Sequence, residues 1–310
     1  MPLPFPLVYH PGYDLHFGRH VFPAQKYRLI RERLIAEGFA QPEDFIEPAP
    51  ATRQQLLLAH SEDWIRKLER GTLSYQEIVK LEVPYSRKMT AAFFLAAGGT
   101  LEAARRCLHH GLAVNLSGGF HHAFRDHGEG FCAINDVAVA ILALRQEGLI
   151  SKAMVIDLDV HQGNGTAAIF AGSPDVFTIS LHQQNNYPHL KPPSTIDVGL
   201  PDGAGDLEYI ARLRSVFEPA VAGFRPDIVL YVAGSDPFYD DQLGGLALTM
   251  EGMMARDRIV FDSSLRAGVP VATVLAGGYA SRLEDTVALH AQTVRAALES
   301  LTEIGFRHAR

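Results

Sequence analysis

Cysteine is scarce. Cys107 and Cys132 are the two in 310 residues, far apart and in no metal-type spacing. That excludes a disulfide framework and suits a reducing cytoplasm. Positive charge is also short: 28 Lys and Arg stand against 35 Asp and Glu, a net charge of -7. Such a balance argues against general affinity for nucleic acid or an anionic membrane surface. No apolar run approaches the roughly 18 residues needed to span a bilayer. The opening Met1-Pro2-Leu3-Pro4-Phe5-Pro6 lacks a basic region and is broken by proline, which makes a poor signal peptide. No internal repeat, low-complexity tract or Ser/Gly-rich linker interrupts the chain. One compact domain over 1–310 is therefore expected, soluble and cytoplasmic.

What is present is material for a core, with 47% hydrophobic residues. Short apolar runs rich in β-branched residues occur at 7–10, 112–116, 153–156, 176–180, 228–232 and 271–275. Helical patterns fall at about 24–37, 86–110, 134–146, 207–221, 251–266 and from 282. Thr52 with Gln55, and Ser61 ahead of Trp64, read as two further helix starts. The stretch 71–85 is ambiguous, and Gly98-Gly99 marks a close-packing point in the long helix. Near-continuous apolar strands alternating with helices predict an α/β fold: a central, mainly parallel sheet with helices on both faces.

The polar residues are not scattered. Ser117-Gly118-Gly119-Phe120-His121-His122, Asp157-Leu158-Asp159-Val160-His161, Leu181-His182, Ala233-Gly234-Ser235-Asp236 and Ala276-Gly277-Gly278-Tyr279 each follow a predicted strand. Open parallel sheets bind ligands beyond the carboxyl ends of their strands. Asp157, Asp159 and His161 alternate along an extended segment and so share a face. A buried hydrogen-bond network pinning a strand end would use the same residues. Clustering on one edge favours a site.

Asp159, His161 and Asp236 are the candidate metal ligands. Three protein ligands leave a position open for water or substrate, which suits catalytic Zn²⁺; an iron centre (Fe²⁺) competes. His121 and His122 are candidate acid and base, with their assignment open. Asp157 is placed to orient His121, and the neutral Asn164 to orient His122. Tyr279 is a candidate donor to a developing oxyanion. Phe131 and Tyr187 are candidate walls of an apolar channel. The turns Gly128-Glu129-Gly130 and Gly244-Gly245 lie near it.

The joint set resembles one family. Gly118-Gly119-Phe120-His121-His122-Ala123, Gly130-Phe131-Cys132-Ala133-Ile134-Asn135-Asp136, Asp157 to Gly165, Gly234-Ser235-Asp236 and Gly277-Gly278-Tyr279 stand in the order seen in zinc-dependent histone deacetylases. The Gln162-Gly163-Asn164-Gly165 form and the Tyr187-Pro188 pair look most like the class IV branch and bacterial acetoin-utilisation-type relatives. The resemblance implies a single-domain, three-layer arginase/deacetylase-like fold. It implies zinc on Asp159, His161 and Asp236, His121 and His122 as the acid/base pair, and Tyr279 as oxyanion donor. It also implies a structural potassium ion near Asp157, Asp159, His161, Ser180 and Leu181, with carboxylate oxygens from both aspartates. Gly130 and Phe131 match the channel wall; Tyr187 approximates the opposite one. Two departures stand out: Asn164 replaces the Asp of class I members, and the loop 183–205 lacks the commoner Phe-rich form.

The expected activity is removal of acetyl or longer acyl groups from the ε-amine of lysine in proteins. Hydrolysis of acetylpolyamines is the alternative, which acidic residues at the channel mouth, such as Glu129, Asp240 or Asp241, would favour. A dinuclear ureohydrolase would want a carboxylate two residues past Asp236, where Phe238 stands. A silent acyl-lysine-binding protein is the reading outside enzymes.

Overall fold

The structure is a computed structural model that describes residues 2–306. Residues 1 and 307–310 of the expected domain lie outside the described residues. The chain opens with β1 (Leu7–Val8), α1 (Lys26–Ala36) and β2 (Phe45–Ile46). Three short helices follow, each begun by a hydroxyl side chain: α2 (Arg53–Ala59) by Thr52, α3 (Glu62–Arg70) by Ser61 and α4 (Tyr75–Leu81) by Ser74. In each, the hydroxyl accepts from the backbone N–H three residues on, satisfying one orphan donor of the first turn. The ambiguous stretch 71–85 thus contains α4, closed by a reciprocal Ser74–Glu77 capping box.

The long helix α5 (Arg87–His110) leads into β3 (Leu112–Asn115). Gly98 and Gly99 are its closest approaches: a Cβ would strike the backbone of Ala49 and Ala51 at the first and the Tyr13 hydroxyl at the second. The alternation then settles: α6 (Asp136–Gln146), β4 (Ala153–Asp157), α7 (Asn164–Ile169), β5 (Val176–Gln183), β6 (Ile196–Leu200), α8 (Asp206–Phe224) and β7 (Ile228–Val232). It ends with α9 (Met250–Arg266), β8 (Val271–Val274) and α10 (Leu283–Ile304).

Among the described residues, eight strands form one sheet in the order β2-β1-β3-β8-β7-β4-β5-β6, and every pairing is parallel. All residues of β3, β4, β7 and β8 are buried. Successive side chains point to opposite faces, so complete burial means both faces are covered. α5 packs with α6, and α6 with α2; α9 packs with α8 and α10, and α10 with α1. The expected α/β architecture is the observed one.

Two expectations change in detail. β5 runs on to Gln183, so Leu181 and His182 lie within the strand rather than after it. The loop 183–205 contains the edge strand β6, paired with β5 from Ile179↔Ile196 to Gln183↔Leu200. Because all strands run the same way, β3, β4, β7 and β8 deliver their carboxyl ends to one edge of the sheet.

Candidate active site

β4 stops at Asp157, and the backbone from Leu158 to Gly163 crosses the sheet edge before α7 begins. This segment brings Asp159 and His161 beside Asp236, which follows β7. All three are buried, and one donor atom of each lies within 4.8 Å of the others. His161 Nδ1 is 3.0 Å from Asp159 Oδ1 and 3.5 Å from Asp236 Oδ2. Val160 N–H donates to Asp236 Oδ1 and Gly277 N–H to Asp159 Oδ2. Asp236 Oδ2 is buried and accepts no hydrogen bond.

The charges show what such a cluster lacks. Burial, reinforced by the Asp159 charge, pushes the Asp236 carboxyl up to about 7. Burial would also raise Asp159, but His121 and His161 outweigh it and hold its carboxyl well below the usual range. His161 is desolvated, yet the Asp159 and Asp236 carboxylates beside it carry its pKa up to about 10. Among the described residues no Lys or Arg bonds either carboxylate. Two carboxylates, one imidazole and an unpartnered buried oxygen form a donor set that fits a divalent cation of borderline character.

The two histidines sit above this cluster on the segment after β3. His121 Nδ1 donates to Asp157 Oδ2 at 2.7 Å, and its Nε2 is 3.1 Å from His122 Nε2. His122 Nδ1 pairs with Asn164 Oδ1 at 2.7 Å. Burial works against charge on both rings, but the partners differ. The charges of Asp157 and Asp159 overcome it at His121, whose pKa rises to about 9. At His122 the positive charges of His121 and His161 add to burial and push it well below the ordinary value. The surroundings therefore favour charge on His121 and disfavour it on His122.

Tyr279, placed by the segment after β8, is buried against the same space. Its backbone N–H donates to Asp241 Oδ2 at 2.7 Å. Burial, then the Asp159 and Asp236 charges, keep the phenol protonated. A cavity of about 180 Å³ is lined by His121, His122, Asp159, His161 and Tyr279, with Phe131 and Tyr187 along its walls. The Tyr187 ring meets His122 edge-on at 4.8 Å, and Phe131 is 6.3 Å from Tyr279. Gly130 lies against His122, where a Cβ would come within 2.7 Å of the ring.

The parallel register sets Asp157 beside Ser180, the next residue being Leu181. The Ser180 hydroxyl is 3.0 Å from His182 Nδ1. Nearby, Asp159 Oδ1 accepts from His161 and its Oδ2 from Gly277.

The three acids expected at the channel mouth are engaged elsewhere. Glu129 bonds Asn164 and Tyr187, and pairs with Lys80 at 3.0 Å. Asp241 accepts from the N–H groups of Leu243, Gly244 and Tyr279. Asp240 takes the Ser281 hydroxyl at 3.2 Å. Sequence reasoning missed the acid that does line the cavity rim, Glu82, which caps α4 in a left-handed conformation. It also missed Phe22, 5.9 Å from the Tyr279 ring, and Lys26, fully buried, whose Nζ donates to Ala276 O at 2.6 Å. No spacing signal ties residues 22, 26 and 82 to motifs some forty or more positions away.

Comparison with known proteins agrees with this geometry. A family model described as "Histone deacetylase domain" matches residues 20–295. An uncharacterized protein of Picosynechococcus sp. is 42% identical over 294 residues, covering 94% of this chain and 98% of its own. Histone deacetylase 2 of Arabidopsis thaliana is 30% identical over 286 residues, 88% of this chain and 74% of that protein. The crystal structure of the HDA15 HD domain aligns with a TM-score of 0.80 at 25% identity, over 96% of this chain and 90% of that one. With its motifs gathered at one sheet edge and the family match spanning nearly the whole fold, the chain belongs to the histone deacetylase family.

Proposed function

We propose that this protein is a zinc-dependent deacylase that hydrolyses the amide of acetyl- or longer-acyl-lysine in proteins. The observation that carries the reading is the pair of histidines, one held by Asp157 and one by Asn164, beside a buried Asp159-His161-Asp236 donor set. A zinc ion there would polarise the substrate carbonyl and lower the pKa of water. Potassium beside Asp157, Ser180 and Leu181 belongs to the same reading as a structural ion.

The chain's own groups divide the proton work. Neutral His122 offers the Nε2 lone pair that takes a proton from the attacking water. The water oxygen bonds the carbonyl carbon, and the electron pair moves onto the carbonyl oxygen. The Tyr279 hydroxyl donates to that oxyanion. As the C–N bond breaks, charged His121 delivers the Nε2 proton to the leaving amine. Phe131 and Tyr187 exclude water along the alkyl stem, and Asp157 holds the imidazolium in place.

Acetylpolyamines remain the second reading, and Glu82 at the rim supports it, because an exposed carboxylate there attracts a second ammonium. Activity on a panel of acyl-lysine peptides and acetylpolyamines tests both, with zinc- and iron-loaded protein compared. Tyr279→Phe should lower kcat by on the order of a hundredfold or more. Absence of turnover on every substrate, with metal bound, would sink the deacylase reading and leave an acyl-lysine binder.

A further inference from the structure

We infer that Glu129 is a positioning residue that sets the His122 tautomer through the Asn164 carboxamide. The inference rests on the acid/base reading of the histidine pair given above. A carboxamide is the one partner here whose two ends match in shape and oppose in chemistry: its oxygen accepts and its NH₂ donates. Facing His122 alone, Asn164 would satisfy it in either orientation, and each orientation selects a different imidazole tautomer.

The surroundings decide. Asn164 Nδ2 donates to Glu129 Oε1, and an ionised carboxylate can only accept. The Asn164 oxygen must then face His122 Nδ1, where Gly165 N–H also donates to it at 3.0 Å. An acceptor at Nδ1 requires that this nitrogen carry the hydrogen. The lone pair is left on Nε2, 3.1 Å from His121 Nε2, on a side chain that lines the cavity.

The arrangement is a closed polar chain with a carboxylate at each end: Glu129, Asn164, His122, His121, Asp157. An Asp at position 164 would need no such arbiter, since it has no donor end to misplace. With Asn there, the carboxylate stands one group further out.

Glu129 is built for that duty. Burial would raise its pKa, but hydrogen bonds from His127, Lys80 and Asn164 bring it down to about 2. Lys80 Nζ is 3.0 Å and His127 Nε2 3.5 Å from Oε2, on the side away from Asn164. The Tyr187 hydroxyl donates to Oε1 at 3.1 Å, which ties the channel wall to the same carboxylate. The Gly128-Glu129-Gly130 turn thus aims a charge at Asn164 while its second glycine lies on the His122 ring.

The test reads the tautomer directly. Nitrogen-15 NMR of His-labelled, metal-loaded protein, with His122 assigned from a His122→Gln sample, should show hydrogen on Nδ1. Glu129→Gln and Glu129→Ala should give a mixture containing the Nε2–H form. Their kcat should fall about ten- to a hundredfold, the range for lost carboxylate support of an active-site histidine, with KM moving less. The sharper outcome is a reversal of sign. Asn164→Asp sets two carboxylates against each other and should lower kcat. Adding Glu129→Gln to it restores a donor–acceptor pair, and should raise kcat by about tenfold, although the same change is harmful alone. An unchanged His122 tautomer in both Glu129 variants overturns the inference, as does a double variant slower than Asn164→Asp. Should the wild type turn over no acyl substrate, the proposed function fails while the spectra still decide the role of Glu129.

Discussion

Arg256 has no exposed surface, yet it carries a full charge. Its Nη1 donates to the carbonyls of Leu158, at 3.3 Å, and Gly234, at 2.6 Å. These lie one residue before Asp159 and two before Asp236, so one guanidinium braces both segments that present the candidate acidic ligands. Asp257 balances it at 2.9 Å and accepts from Tyr231 and Thr293. Breaking a buried pair strands the other charge, at a cost of about 3–5 kcal/mol. Arg256→Met should lose that much in denaturant unfolding, and Arg256→Met with Asp257→Asn should lose less, because no lone charge remains. A double variant as unstable as the single one would show that packing, not charge, holds the site. Residues of this kind explain what the sequence did not show. The clustering of Asp159, His161, Asp236 and the His pair is legible because each stands in a polar run that follows an apolar strand. Arg256, Asp241 and Glu129 act through partners 22 to 98 positions away, or across a turn, and an Arg or Asp in a polar stretch looks like surface.

The elements were readable where burial is complete and blurred where it is partial. β7 has five buried residues in a row and matches its predicted span. β6 exposes alternate residues at the sheet edge, follows Pro192 and Pro193, and includes Gly199, so neither composition nor continuity announces it. α7 has six residues, one a glycine, a sequence with poor intrinsic helicity that tertiary burial holds in place. One histidine fixes the approach to α6. His60 Nδ1 donates to Phe124 O at 2.9 Å, and its Nε2 accepts from Asn135 N–H, at the cap of that helix. Burial lowers the His60 pKa to about 4, whereas an unfolded histidine titrates near about 6.5. The unfolded chain therefore binds the extra proton between these values. The His60 contribution is fully present above about 6.5 and is lost as pH falls toward 4, by at most about 1.4 kcal/mol per pH unit. The stability gap between wild type and His60→Asn, measured by urea unfolding, should narrow from pH 7.5 to pH 5. A gap independent of pH would mean that His60 titrates alike in the folded and unfolded chains.

Across the whole molecule, the parallel topology determines both the site and its cost. Sending β3, β4, β7 and β8 the same way gathers segments from His121 to Tyr279 at one edge, far apart in sequence and joined only by the fold. It also buries Asp159 and Asp236 side by side, with the second carboxyl pushed up to about 7 by burial and by its neighbour. Metal binding should relieve that repulsion and couple to the stability of the entire sheet. A ligand that binds only the folded state adds about 4 kcal/mol at a thousandfold excess over its Kd, so zinc should raise Tm and a chelator should reverse the shift. Asp236→Asn separates the two effects. It keeps the oxygen that accepts from Val160 N–H and puts an uncharged amide in place of a second carboxylate. The metal-free variant should melt at or above the metal-free wild type, while its zinc-dependent shift should largely vanish. A functional residue whose removal stabilises the empty protein is the expected mark of a site kept at the expense of the fold. If metal-free Asp236→Asn instead melts well below wild type and still responds fully to zinc, Asp236 supports the sheet and the cation sits elsewhere.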